Sequence, residues 1–201
     1  MPEDSFHFTI KDVLKTEVAL ALGCTEPVAI ALSSAAAASL VPGKQIESIE
    51  VWVDPNIYKN GIAVLIPGSD DLRGIDVAGA LGVFGGDPLL RLEVLQPITE
   101  DIARRAKRFV ADGKVEVHIV TDSKGLYIRT LVRTADDRAE CVIQGLHDNI
   151  VSLTLNDTPV ADSPLLSGGG GGSSKADLQQ VESWLRTLSL KKLVEMVDEL
   201  D

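Results

Sequence analysis

The chain has 201 residues, 45% of them hydrophobic but only 4% aromatic, with a formal net charge of −11; it suits one domain, or one domain plus a helical appendage, packed mainly by Ala, Val, Leu and Ile. The acidic balance argues against a nucleic-acid binder or a partner for anionic membranes, and no stretch reaches the roughly 18 uninterrupted apolar residues of a membrane span. Two cysteines make no disulfide framework and residues 1–7 carry no basic start or apolar signal core, so a reducing cytoplasm is the expected compartment.

Residues 8–22 put Ile10, Val13, Leu14, Val18 and Leu22 near one helical face. Thr9 is placed to cap this helix, with Asp12 in the capping-box position, and Gly23 ends it. Glu26 precedes a proline and is expected outside helical geometry. Pro27 then takes the first position of a second helix running to about Leu40. That helix is small and apolar all round, which reads as buried.

Ile46 to Val53 alternates, with Ile49, Val51 and Val53 on one side and Ser48, Glu50 and Trp52 on the other, predicting a half-buried strand. Asp54-Pro55-Asn56 ends it, and Gly61 to Ile66 reads as a second strand stopped by Pro67-Gly68. Between them, residues 54–61 form a polar loop with Asn60-Gly61 as its turn. Ile75 to Phe84 is helical, with Gly79 and Gly82 one turn apart and open to close contact. Residues 88–95 suit a short helix. Thr99 to Ala111 is amphipathic, with Ile102, Ala106, Phe109 and Val110 inward and Arg104, Arg105, Lys107 and Arg108 outward.

The period then changes. Residues 115–119, 127–134, 139–145 and 150–155 alternate at short spacing and read as consecutive antiparallel strands. The expected class is therefore α+β, with helices in the N-terminal half on a mostly antiparallel sheet. Residues 1–163 form that domain, residues 164–174 with Gly168 to Gly172 a flexible linker, and residues 175–201 a helical segment that opens a second domain.

Four places compete for chemistry. Cys24 sits just ahead of a helix N-terminus, where free N–H groups and the dipole favour a thiolate; a small buried hydrophobe at a turn is the plainer reading. Asn56, Lys59 and Asn60 give the 54–61 loop a cation and two amides suited to a carboxylate. His147 stands at a strand end, as a base, a ligand or a surface residue. Gly82 to Gly86 expose backbone that can approach an anion, or serve only packing. Cys141, in an alternating strand, reads as core.

In this order the segments resemble the N-terminal half of the L-cysteine desulfidase family, related to the alpha part of the iron–sulfur L-serine dehydratases. The resemblance rests on Ala21-Leu22-Gly23-Cys24-Thr25-Glu26-Pro27, Val51-Trp52-Val53-Asp54-Pro55-Asn56, Lys59-Asn60-Gly61, Ile66-Pro67-Gly68, Ala78-Gly79-Ala80-Leu81-Gly82 with Gly85-Gly86, and His147 with Asn149-Ile150-Val151. It implies a [4Fe-4S] cluster held by three cysteines with one open iron, and α,β-elimination of L-cysteine to sulfide, ammonia and pyruvate, or of L-serine with loss of water. Cys24 matches the family's first cluster cysteine. The remaining ligands belong to a C-terminal half, supplied in cis or in trans. On this reading Asn56, Lys59 and Asn60 anchor the substrate carboxylate, Thr25 and Glu26 orient the cluster edge or substrate, and His147 is a candidate acid/base. A non-catalytic amino-acid-binding or regulatory domain, and an assembly unit whose alanine-rich helix packs on another subunit of a homo-oligomer, are the alternatives.

Overall fold

A computed structural model describes residues 8–18, 20–69, 71–166 and 175–198. In chain order the elements are helices α1 (Ile10–Glu17) and α2 (Thr25–Ala38), strand β1 (Ser48–Val53), helices α3 (Pro55–Gly61), α4 (Ile75–Gly85) and α5 (Glu100–Ala111), strands β2 (Val115–Ile119), β3 (Tyr127–Arg133), β4 (Arg138–Gln144), β5 (Ile150–Leu155) and β6 (Thr158–Pro159), and helices α6 (Lys175–Leu185) and α7 (Leu190–Asp198). The class is α+β. The glycine tract Gly168 to Gly172 lies outside the described residues, and Pro164–Leu166 just before it form a 3-10 turn. No described helix is long and apolar enough to cross a membrane.

The described residues fall into two compact units, one holding α1, α6 and α7 and the other holding residues 20–166. In the first, Thr9 and Asp12 form a reciprocal capping box: the Thr9 hydroxyl accepts from the Asp12 N–H at 3.2 Å and the Asp12 carboxylate accepts from the Thr9 N–H at 2.8 Å. The helix they start ends at Glu17, short of the expected Leu22, because Val18 is already extended. Phe8 and Trp184 meet as tilted rings with centroids 5.6 Å apart.

The second unit is built on one six-stranded sheet in the order β2-β1-β3-β4-β5-β6. The run β3 to β6 is antiparallel, as the short spacing predicts, but β2, expected to open that run, instead lies at the sheet edge and pairs in parallel with β1, which precedes it by the long excursion through α3, α4 and α5. Register places Val51, Thr130, Cys141 and Leu153 side by side on the covered face. There they meet α2, whose residues from Pro27 to Ala37 are all buried. Each of its large side chains, Ile30 and Leu32, contributes about 1.5–3 kcal/mol by leaving water. Glycine sets the spacing between α2 and α4: a Cβ on Gly82 would stand 2.2 Å from the Ala31 carbonyl oxygen.

On the other sheet face charged side chains pair across strands. Arg129 bridges to Glu140 and Arg133 to Glu50, Arg129 also covers the Trp52 ring, and His118 stacks on Trp52. A mostly antiparallel sheet with one packed and one polar face follows from the observed alternation.

Candidate functional site

The cysteine loop is held by steric fit. Gly23 has φ +91°, and a Cβ there would lie 2.4 Å from Pro67 Cγ, so only glycine allows the turn and the contact together. The segment that presents Pro67 is fixed by the Ser69 hydroxyl donating to the Ile66 carbonyl at 2.5 Å and by a bridge between Leu65 and Arg73. This corrects the expected strand at residues 61–66, which is a turn with one isolated bridge. On the other side of Gly23, the Leu22 N–H donates to the Leu92 carbonyl at 3.0 Å.

Cys24 lies just ahead of α2, as expected, and is its N-cap because the helix starts at Thr25 and not at Pro27. Glu26 is therefore helical despite preceding Pro27, which sits at the third position. A proline there costs no hydrogen bond, because the first N–H groups of a helix have no internal acceptor. Helical geometry turns Glu26 back over the cap: the Cys24 thiol donates to Glu26 Oε2 at 2.8 Å, and the Thr25 hydroxyl reaches the same oxygen at 3.4 Å.

Residues 54–61 are a helix rather than a hairpin loop. Buried Asp54 caps it: Oδ1 accepts from the N–H groups of Asn56 at 2.8 Å and Ile57 at 3.2 Å, while Oδ2 accepts from the Tyr127 N–H at 2.9 Å. One carboxylate thus starts α3 and ties it to β3. Pro55 at the first position completes the start. At the other end Gly61 is buried, and a Cβ there would come within 3.1 Å of Ile75 and 3.9 Å of Glu26 Cβ. The bare glycine lets α3 close on the start of α2, so that Asn60 Nδ2 donates to Glu26 Oε1 at 3.1 Å. On the same helix Asn56 lies three residues before Lys59 and four before Asn60, and all three are exposed.

Cys24, Thr25, Glu26 and Asn60 thus form one hydrogen-bonded group around the Glu26 carboxylate. Its electrostatics run against the thiolate expected from the helix dipole. Partial burial pushes the Cys24 thiol above its ordinary value, the hydrogen bond and charge of Glu26 push it further, and the Thr25 and Glu26 N–H groups offset only part of this. For Glu26, burial works upward but is outweighed by the Cys24 thiol, its own N–H, the Asn60 amide and the charge of His147, which together hold the carboxyl below its ordinary value. The resting pair is a protonated thiol on an ionised carboxylate. His147 sits half-buried in the β4–β5 turn and acts on Glu26 through space.

The other candidates separate from this group. Cys141 is fully buried on β4, where burial pushes its thiol up to about 12. Gly82 to Gly86 form the C-terminal end of α4, where carbonyls rather than N–H groups are presented, and Gly82 serves close packing. The loop therefore offers one soft thiol, which fits one ligand position of the expected cluster; among the described residues no three His, Cys, Asp or Glu side chains converge on a metal position.

No family model matches the chain, and no solved structure gives a significant match. The chain is similar to UPF0597 proteins: it is 47% identical over 195 residues to one from Desulfatibacillum aliphaticivorans, covering 96% of this chain and 44% of the relative. It is 48% identical over 200 residues to one from Desulforapulum autotrophicum, covering 97% of this chain and 44% of the relative. A relative from Geobacter sulfurreducens is 34% identical over 190 residues, covering 94% and 43%. The chain therefore spans less than half the length of the curated relatives it matches.

Proposed function

We propose that this chain is the N-terminal part of an iron–sulfur-dependent amino-acid lyase that carries out α,β-elimination on L-cysteine or L-serine in the cytoplasm. The observation that carries the reading is the Cys24–Glu26–Asn60 hydrogen-bonded group, which unites two of the segments behind the family resemblance across 34 residues of sequence. Gly23 against Pro67 brings a further one, Ile66-Pro67-Gly68, to the same place.

Cys24 supplies one thiolate ligand, and the other ligands come from polypeptide outside this chain, in cis or in trans. The cluster's chemistry when bound is Lewis-acid assistance at the leaving group. The chain's own residues position and exchange protons. The ionised Glu26, fixed by Asn60, stands 2.8 Å from Cys24 Sγ and accepts the thiol proton that must leave when Cys24 becomes a ligand. Lys59, exposed one residue before Asn60, anchors the substrate carboxylate with Asn56 one turn earlier. In the elimination the Cα–H and Cβ–S bonds of L-cysteine break, the Cα proton passes to a base, sulfide leaves, and the resulting enamine tautomerises and hydrolyses to pyruvate and ammonia. Glu26 and His147 are the groups placed to carry those protons, with Thr25 orienting Glu26.

A second reading is favoured by the protonated, hydrogen-bonded state of Cys24: a non-catalytic domain that binds an amino acid through Lys59 and the two asparagines. The assay that decides is product analysis. The chain joined anaerobically to its downstream polypeptide is expected to release sulfide, ammonia and pyruvate from L-cysteine in equal amounts. Binding of the amino acid with no product formed contradicts the lyase reading.

A further inference from the structure

A cavity of about 360 Å³ lies at the far end of α2 from Cys24, lined by the last turn of α2, the 41–46 loop, the end of α4 and Arg105 of α5. Its size falls within the range of small-molecule sites. Ala35, Ala38, Gly82 and Gly86 line it with little side-chain volume, and Val41 and Phe84 give it apolar walls.

Two kinds of charge meet there. Both α2 and α4 end at the cavity, and neither carries a basic residue in its last turn; the carbonyls of Ala35 to Ala38 on α2 already accept from Ser39, Leu40 and Val41, so it is the negative end of α4 that is left without a cation of its own. The cations at the rim are Lys44 and Arg105. Lys44 is committed to Asp137. Arg105 is not committed: its guanidinium carbon stands over the Phe84 ring, 4.0 Å from the centroid, and no carboxylate among the described residues pairs with it, although its neighbour Arg104 is paired with Asp101 and Glu100. A guanidinium stacked on a ring keeps its in-plane N–H groups free for a two-pronged bond to a carboxylate.

We propose that this cavity is a second ligand site, separate from the Cys24 group, for an α-amino acid with an apolar side chain. Arg105 takes the carboxylate, the carbonyl end of α4 takes the ammonium, and Val41 and Phe84 receive the side chain. A zwitterion answers both charges at once; a simple anion would face the C-terminus of α4 unfavourably.

The test is titration of the chain with L-leucine by calorimetry, with backbone amide shifts followed by NMR. 4-Methylpentanoate, which lacks the ammonium, and 3-methylbutylamine, which lacks the carboxylate, are the controls. The expected result is saturable L-leucine binding that shifts amides at residues 82–86, at least fivefold weaker binding of either control, and at least a tenfold loss in Arg105→Ala. Ala38→Leu, which fills the cavity, should also abolish binding, and Cys24→Ala should leave it unchanged. No binding of L-leucine, equal binding of 4-methylpentanoate, undiminished binding in a folded Arg105→Ala variant, or loss of binding in Cys24→Ala would each overturn the proposal. Because Cys24→Ala removes the proposed lyase chemistry, failure of that reading and failure of this one are read separately.

Discussion

Two glycines one turn apart on α4 make opposite predictions for the same substitution. Alanine is favoured over glycine in a helix interior by about 1 kcal/mol. At Gly79 the new methyl meets Val51 Cγ2 at 3.4 Å and Ser34 Oγ at 3.5 Å, ordinary contact distances. Gly79→Ala should therefore stabilise the protein by up to about 1 kcal/mol. At Gly82 the methyl would stand 2.2 Å from the Ala31 carbonyl oxygen and 2.8 Å from Ala31 Cα. These are backbone atoms of a fully buried helix and cannot rotate aside. The helices must part by about 1 Å, and overpacking of this kind costs about 1–3 kcal/mol. Because the clash is with backbone, the cost lies in the upper part of that range, about 2–3 kcal/mol; after the propensity gain of about 1 kcal/mol, Gly82→Ala should be destabilised by about 1–2 kcal/mol, which for a chain of this size lowers the midpoint by roughly 2–4 °C per kcal/mol. Urea denaturation followed by circular dichroism measures both variants. A Gly82→Ala protein as stable as its parent would refute the close approach of α2 and α4.

Further outcomes follow from the site. Asp54→Ala leaves the Asn56, Ile57 and Tyr127 N–H groups without their acceptor and should cost about 2–3 kcal/mol in chemical denaturation; a loss under 0.5 kcal/mol would reject its double role. The Cys24 thiol is held above its ordinary value by burial and by Glu26, so its alkylation by iodoacetamide should reach half its maximal rate at a higher pH than that of a free cysteine thiol. Glu26→Gln removes the charge and should move that midpoint down, so that alkylation near neutral pH speeds up severalfold; an unchanged profile would contradict the hydrogen bond. In the reconstituted lyase, Lys59→Ala should raise KM for the amino acid at least tenfold with stability unchanged within about 0.5 kcal/mol, as for an exposed side chain; an unchanged KM excludes the anchoring role.

Much of this architecture is legible in the residues, because local pattern and burial agree. The alanine-rich α2 is apolar on all sides and is buried on all sides; Ile49, Val51 and Val53 alternate and face the core. The segment from Pro55 to Gly61 misleads, since Asn60-Gly61 carries strong turn chemistry. Its helical signal is present but brief: Asp54 as cap with Pro55 at the first position. The parallel pairing of β1 with β2 depends on contacts between residues separated by more than 60 positions, which no local pattern encodes. Within the site, Cys24 at the head of a helix is readable. The reversal of its ionisation is not, because it comes from a carboxylate two residues on that helical geometry turns back to the sulfur.

The central claim is that Cys24, and not Cys141, is the cysteine this chain contributes to chemistry. It is tested most directly by iron content and sulfide release in the anaerobically reconstituted enzyme carrying Cys24→Ala or Cys141→Ala. Loss of both in the first variant, with both retained in the second wherever it folds, is the expected result. Sulfide release that survives Cys24→Ala would contradict the account.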